Sequence, residues 1–181
     1  MKNKLLILLI IIAMVMTITG CEKEDKTEIA GIVIEASESG GFRVQVIGGF
    51  QEDLMQVHLS DKINYEEGVD ETISVGNAVG FYITGDVAES YPVQVTATRI
   101  LWNESVITGK ILSAGETSIL LQVESGFDSK MLQALVTEDT LFYSNIPSLT
   151  EKGNIIGFTI TGEILETEPP QVYVKRFVTY D

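Results

Sequence analysis

Short apolar runs separated by turn-forming residues make up most of the chain from residue 30 onward. Each run is five to ten residues long and rich in β-branched side chains, and Gly, Asn, Asp, Ser or Pro separates it from the next. This pattern is typical of strands and turns. The ten runs are 31–36, 42–47, 54–59, 78–84, 93–101, 109–113, 119–124, 132–137, 155–161 and 171–180. The sequence therefore predicts an all-β protein.

Polar and apolar residues alternate within the runs, as expected for strands with one buried face. In the third run of each half, the side chains predicted to point inward are Met55, Val57, Leu59, Leu132, Ala134 and Val136. Those predicted to point outward are Gln56, His58, Ser60, Gln133, Leu135 and Thr137.

The chain also contains an internal repeat. A shift of 77 positions aligns 44–100 with 121–177 without a gap, and 17 of the 57 aligned pairs are identical. The identities cluster at turns, where Gly49-Phe50 matches Gly126-Phe127, Gly76-Asn77 matches Gly153-Asn154, and Ile83-Thr84-Gly85 matches Ile160-Thr161-Gly162. Two copies of one fold are the simplest explanation.

Each copy has five predicted strands and a longer connection between the third and fourth, which is 61–76 in the first copy. These features favour a small closed barrel of the OB type, because closure leaves no exposed sheet edge. An open five-stranded meander and a compact sandwich are the alternatives. We predict two tandem five-stranded OB-like barrels, over 30–102 and 103–181, after an N-terminal apolar signal helix.

A short linker, 102–108, joins the two predicted barrels and contains Trp102, the single tryptophan. One barrel of this size buries only a marginal core. We therefore expect the two barrels to pack together, with Trp102 between them.

The first 20 residues have the layout of a secretion signal. Lys2 and Lys4 form a short positive segment, and 5–18 is a nearly unbroken apolar run. This run is shorter than the roughly 20 residues that span a bilayer core, so a cleaved signal peptide over 1–20 is favoured over a permanent transmembrane helix.

The segment Ile18-Thr19-Gly20-Cys21 resembles the lipobox of bacterial lipoproteins, in which an apolar residue and two small residues precede the cysteine. The resemblance implies cleavage after Gly20 and acyl chains such as palmitate on Cys21. Each buried methylene contributes about 0.8 kcal/mol, so two or more chains anchor a protein stably. We expect a lipoprotein on the extracytoplasmic face of the cell membrane, with a flexible stalk over 21–29. The alternative is an ordinary signal followed by an unmodified cysteine.

The charge of the exported part is strongly negative. The net charge is −14, and removal of the signal, which contains Lys2 and Lys4 but no acid, makes it −16. Such a surface repels nucleic-acid phosphates and anionic lipid headgroups. We therefore expect no nucleic-acid partner, and membrane contact through the lipid anchor alone.

Few residues suit catalysis or metal binding. The single histidine, His58, has Leu135 as its counterpart, which favours an exposed strand residue over a catalytic base. The only cysteine is the predicted lipid carrier, which leaves poor ligands for zinc. The acidic stretch 61–71 lacks the spacing of a calcium loop, so solvated carboxylates are favoured over weak divalent-cation binding. We expect no enzyme activity, no cofactor and no metal.

The best candidate for binding is a block that recurs before the fifth strand of each copy, 85–94 and 162–171. Both blocks have an acid after Gly, then Glu, a hydroxyl residue, Pro and Gln. OB-type barrels use this loop for ligands. The candidate binding residues are Asp86, Glu89, Tyr91, Gln94, Glu163, Glu166 and Gln171. The alternative, which retention in both copies favours, is a turn that the fold requires.

Together with the closing strand 95–100, this block resembles small lipoproteins of Gram-positive-type bacteria that carry tandem OB-like modules. The resemblance implies a cell-surface location and no particular activity. We expect a non-enzymatic binding protein that makes bivalent contact with a peptide, glycan or envelope protein. The alternatives are a lipoprotein that regulates or inhibits a partner protein and, less favoured, a carboxylate-dependent hydrolase.

The lipid anchor can be tested at Cys21. Metabolic labelling with a palmitate analogue is expected to mark the wild-type chain and to fail for Cys21→Ala, because the thiol is the attachment point. Mass spectrometry of the native N-terminal peptide should find an acylated cysteine as its first residue. An unmodified thiol, or a mature chain that starts elsewhere, would contradict the lipobox assignment.

Overall fold

The computed structural model describes residues 28–37, 40–143, 149 and 151–178, and every element in this part is a β-strand. The predicted signal peptide, Cys21 and the stalk as far as residue 27 lie outside the described residues. Within the described ranges, no helix is long and apolar enough to cross a membrane.

The first five strands form a closed barrel, which we call module 1. The strands are β1 Ile29–Ala36, β2 Phe42–Gly48, β3 Leu54–Tyr65, β4 Asn77–Ala88 and β5 Val93–Ser105. They pair in the order β1-β2-β3-β5-β4, and β4 pairs in turn with β1. The parallel pair is β3 with β5, and the other pairs are antiparallel. The prediction of a five-stranded barrel is therefore confirmed for the first copy.

Strand β1 is buried on both of its faces. Ile29 and Val33 belong to the core inside the barrel, whereas Ala30 and Ile32 belong to a second apolar cluster outside it. Double burial explains why 29–33 has no polar side chain, since strict alternation marks strands with one solvent-exposed face.

The inward and outward faces of β3 agree with the predicted alternation. Met55 and Val57 are fully buried, Leu59 packs partly buried against the core, and His58 is exposed. The interior also contains an edge-to-face pair, Phe42 and Phe81, with ring centroids 5.9 Å apart, and such pairs stabilise a core beyond the area they bury.

The remaining strands form module 2. They are β6 Ile107–Ala114, β7 Ser118–Ser125, β8 Met131–Leu135, β9 Leu141–Tyr143, β10 Ile155–Leu165 and β11 Gln171–Val178. The sheet order is β10-β6-β7-β8-β11-β9, and β10 also pairs with β11. The prediction of five strands is wrong here, because the described part of this module has six.

The additional strand arises because the counterpart of β3 is interrupted. In module 1, β3 pairs with β5 at both ends across a bulge. In module 2, β8 and β9 divide that pairing, and both pair with β11. Between them the Thr140 hydroxyl accepts a hydrogen bond from the Thr137 backbone N–H and donates one to the Val174 carbonyl, each at 3.0 Å. Side chains that bond the backbone in this way compete with ladder pairing.

The repeat extends to individual backbone hydrogen bonds. Val46 donates to Asp53 as Val123 does to Lys130, and Gly76 donates to Val33 as Gly153 does to Ile111. Glycines with positive φ recur at the same 77-residue shift, as Gly49 and Gly126, Gly76 and Gly153, and Gly85 and Gly162. The two modules thus share their turns as well as their strands.

The segment between the modules is almost wholly strand, not the linker expected over 102–108. β5 continues to Ser105 and β6 begins at Ile107, which leaves only Val106 between them. Val106 and Val178 of module 2 join Trp102 in the apolar cluster outside the first barrel. The short connection and the shared cluster hold the modules against each other.

Trp102 lies at the centre of this contact. It pairs with Gly80 across the sheet, and its indole occupies the space that a side chain at Gly80 would fill. The indole N–H donates to a Glu28 carboxylate oxygen at 2.8 Å, and the Tyr143 hydroxyl donates to the same oxygen at 2.6 Å. Burial and the neighbouring Glu28 carboxylate raise the pKa of Tyr143 to about 12. The expected position of Trp102 between the modules agrees with these contacts.

A group of charges continues the contact on the other side of the indole. The Arg176 guanidinium lies 4.5 Å from the centre of the Trp102 ring and donates to Glu104 at 2.5 Å, and Lys175 donates to the same carboxylate at 2.6 Å. Thr159 donates to the second oxygen of Glu104. Burial raises the pKa of Glu104, but the bonds from Lys175 and Thr159 and the charge of Arg176 outweigh it and hold that pKa below 4.5.

We predict that Glu104→Gln destabilises the chain by about 1–3 kcal/mol at pH 7, because it leaves the mostly buried Arg176 guanidinium without a compensating charge. A carboxyl whose pKa is lower in the folded state stabilises the fold above pH 4.5, and this stabilisation is lost as the pH falls further. Urea unfolding between pH 3 and pH 7 should therefore show that the free energy of unfolding decreases less steeply with falling pH in the variant than in the wild type.

The matched control is Glu66→Gln. Glu66 is the ion-pair partner of Arg99, which is the counterpart of Arg176. The side chains of Glu66 and Arg99 are both about 40% exposed. An exposed pair contributes little, so this variant should unfold much like the wild type. Equal effects of the two substitutions would contradict a special role for the Glu104 contact.

Candidate functional site

The β2–β3 turn forms one wall of the candidate site. Gly49 has a φ of 81°, and a side chain there would overlap the backbone of Glu28, where the chain enters β1. Gly126 has the same relation to Val106 in module 2. The repeated turn directs Phe50 against the core of module 1, where it is partly buried. The repeated Gly-Phe pair is therefore explained by backbone packing.

The β4–β5 loop forms the opposite wall. Ser90 donates from its backbone to the Ala88 carbonyl and from its hydroxyl to the Pro92 carbonyl, both at 2.8 Å. In module 2, Thr167 makes the corresponding bonds to Leu165 and Pro169 at 2.8 and 2.7 Å. The peptide bonds before Pro92 and Pro169 are both cis. The shared hydroxyl and proline thus serve the loop, as expected of a turn that the fold requires.

A cleft of about 620 Å³ lies between these two walls. Its volume is within the range of ordinary ligand sites. The lining residues are Gly49, Phe50, Gln51, Glu52, Val87, Ala88, Glu89, Ser90, Tyr91 and Val93. Tyr91 is 84% exposed, although large aromatic rings are usually at least half buried. An uncovered ring in an apolar cleft is a feature of binding sites.

The charge around the cleft has one sign. The two segments that build it, 48–54 and 85–94, contain four acids and no lysine or arginine. Glu52 and Glu89 line the cleft itself, and both are exposed. The module as a whole, 28–105, has 13 acidic and three basic residues. The site therefore combines an apolar interior with a negative rim.

Of the residues predicted to bind in module 1, the structure brings Glu89 and Tyr91 together in this cleft. The side chain of Asp86 lies outside the described part. Gln94 is paired with Gln56 in the sheet, and its amide oxygen lies 3.4 Å from Nε2 of His58. Gln94 thus belongs to a polar row on the strands and does not line the cleft.

The candidates of module 2 form a separate set. Glu163 and Glu166 are exposed on and after β10. Gln171 donates to the amide oxygen of Gln133 at 3.1 Å, which is the counterpart of the Gln94–Gln56 pair. A role in binding stays a prediction for all three.

Sequence reasoning missed Phe50, Glu52 and Val87 as cleft residues. Phe50 carried a signal, since it is identical in the two copies, but Glu52 and Val87 are replaced by Ser129 and Ile164. The sequence could not place the β2–β3 turn beside the β4–β5 loop, because that proximity arises only when β3 and β5 pair in parallel and start at the same end.

The acidic stretch 61–71 is held by the sheet. The side-chain amide of Asn103 donates to the carbonyls of Asp70 and Thr72 at 2.9 and 3.0 Å, and Asn77 donates to Asn103 at 2.8 Å. Among the residues that the structure describes, no three His, Cys, Asp or Glu side chains lie close enough together to hold a metal ion.

No protein-family model and no curated protein matches the chain. Among solved structures, the chain is similar to Drosophila Unr CSD456, with 14% sequence identity and a TM-score of 0.27 over 87% of this chain. The match covers 63% of that chain, so our protein spans less than two thirds of its length. A TM-score this low does not establish a common fold, and the barrel assignment comes from the strand pairings themselves.

We predict that Gly49→Ala destabilises the protein more than Gly68→Ala. Both glycines have a φ of 81°, which costs a residue with a side chain about 1–2 kcal/mol. A Cβ at Gly68 meets open space, whereas one at Gly49 overlaps the Glu28 backbone. Urea unfolding of the full chain should show a loss of about 1 kcal/mol for Gly68→Ala and at least twice that for Gly49→Ala. Equal losses would mean that the close approach to Glu28 is unimportant.

Proposed function

We propose that the protein is a non-enzymatic binding protein, lipid-anchored through Cys21 on the extracytoplasmic face of the cell membrane. The cleft between the β2–β3 turn and the β4–β5 loop of module 1 binds a peptide or a segment of an envelope protein. The anchor keeps this cleft close to the membrane while the acidic body stands off the lipid surface.

One observation carries the proposal: Tyr91 is 84% exposed at the edge of a cleft of about 620 Å³. Phe50, Val87 and Val93 supply an apolar interior beside it. Tyrosine is among the residue types that contribute most to binding when a partner covers them. The fold has no need of this ring, because the turn is held by Ser90 and Pro92.

We also infer that module 2 is a second barrel of the same OB-like type. The support is the double pairing of β10, which joins β6 on one side and β11 on the other. With β6-β7-β8-β11, these pairings return to their starting strand as they do in module 1. On this interpretation, β9 is an appended strand and the chain is a tandem of two OB-like modules.

The alternative function is a lipoprotein that regulates or inhibits a partner protein. It uses the same cleft and differs only in what binding does to the partner. A carboxylate-dependent hydrolase is less favoured, because Glu52 and Glu89 at the cleft are both exposed to solvent, whereas catalytic carboxyls are usually tuned by burial or close charge partners.

Site-specific photo-crosslinking in cells tests the proposal. With a photoreactive phenylalanine analogue in place of Tyr91, irradiation is expected to give a discrete crosslinked species, because a bound partner covers this position. The matched control places the same analogue at Glu168, which is the counterpart of Tyr91 in the loop of module 2. Crosslinking from Tyr91 that does not exceed crosslinking from Glu168 would contradict the assigned cleft.

A further inference from the structure

We infer that the cleft of module 1 takes a peptide segment in which a cationic side chain lies beside an apolar one, and that each chain binds one such segment. This inference rests on the proposed function and specifies its ligand. It follows from three properties of the cleft: its uncovered ring, its uncompensated charge and its difference from module 2.

The uncovered ring favours a cation. The face of an aromatic ring attracts ammonium and guanidinium groups, and the attraction grows when water is excluded. The same chain already contains such a contact, since the Arg176 guanidinium lies 4.5 Å from the centre of the Trp102 ring. At the cleft, Tyr91 offers a comparable ring with no cation of this chain in the segments around it.

The charge at the cleft is not compensated within module 1. The module has three basic residues, and two of them are engaged elsewhere: Arg43 pairs with Glu35 at 2.8 Å, and Arg99 pairs with Glu66. The third, Lys62, lies in the part of β3 remote from the turn that starts it. Glu52 and Glu89 therefore attract a cationic ligand and repel carboxylates and phosphates.

The apolar interior adds a second requirement. Phe50, Val87 and Val93 line the cleft, and Val87 is 36% exposed whereas Val93 is part of the core. A bare cation would leave this apolar surface exposed to water. An apolar side chain next to the cation would cover the surface and contribute about 25 cal/mol of binding free energy for each Å² removed from water. A peptide segment presents both groups at a spacing of a few ångströms.

Module 2 does not reproduce these features. At the matching positions Tyr91 is replaced by Glu168, Glu52 by Ser129 and Val93 by Pro170. Its loop has the same hydrogen bonds but no ring at the rim. Because the backbone is shared but Tyr91, Glu52 and Val93 are not, we infer one binding site per chain and not the bivalent contact that the repeat suggested.

Two tetrapeptides with an acetylated N-terminus and an amidated C-terminus test the inference, Arg-Leu-Arg-Phe and the same peptide with citrulline in place of both arginines. Citrulline keeps the shape of arginine and removes its charge. In calorimetric titrations of the full chain, we expect the arginine peptide to bind with a stoichiometry of one and at least tenfold more tightly than the citrulline peptide. Raising the salt concentration should weaken the arginine peptide only.

Substitutions at the cleft connect the binding to the proposed contacts. Tyr91→Leu keeps an apolar side chain but removes the ring, and should weaken the arginine peptide about tenfold, whereas Tyr91→Phe should bind like the wild type. Glu52→Gln combined with Glu89→Gln should reduce the preference for arginine over citrulline, because only the Tyr91 ring then favours the cation. Glu168→Ala is the matched control and should change nothing.

Some results would overturn the inference and leave the proposed function intact. Equal binding of the two peptides, or no binding of either in a protein that still crosslinks from Tyr91, would show that the ligand is not cationic. A stoichiometry of two, or binding that is insensitive to Tyr91→Leu and to the double glutamine variant, would show that the cationic peptide binds the acidic surface nonspecifically. Loss of both the crosslink and the peptide would remove the proposed function as well.

Discussion

Strand β1 must satisfy backbone partners on two sides, and the rest of the structure depends on that constraint. Its pairing with β2 and β4 closes the first barrel, which leaves one face for the core and the other for module 2. Ile29 and Val33 fill the interior, while Ala30 and Ile32 contact the apolar cluster around Trp102. Because both faces are covered, the strand that closes the barrel also packs against the second module.

The two modules share a backbone plan but use equivalent residues differently. Arg99 and Arg176 are identical in the repeat, yet Arg99 pairs with Glu66 near the surface of module 1, whereas Arg176 is mostly buried against Trp102 and Glu104. The difference has a positional cause, since Arg176 lies where the modules meet. The same division holds at the loop, where Ser90 and Thr167 make equivalent bonds but Tyr91 and Glu168 give the rims opposite chemistry.

The residues that the two copies share have a different role from those that differ between them. The features that both copies of the block share, a glycine, a hydroxyl residue and a proline, maintain the loop. In the function proposed above, the variable features, an aromatic residue in one copy and an acid in the other, determine the ligand. The proposed binding surface therefore depends on positions at which the repeats differ, whereas the fold depends on positions at which they agree.

The sequence by itself determined the strand content, the repeat, the inward faces of strands such as β3, and the turns at Gly49 and Pro92, because period-2 alternation and backbone requirements are local. It could not determine that β8 and β9 would divide one strand, since that depends on a hydrogen bond from Thr140 to Val174, 34 residues away. Nor could it place Phe50 beside Tyr91 or Arg176 against Trp102. Those contacts require strands distant in the chain to pair, and only the tertiary structure decides which distant residues meet.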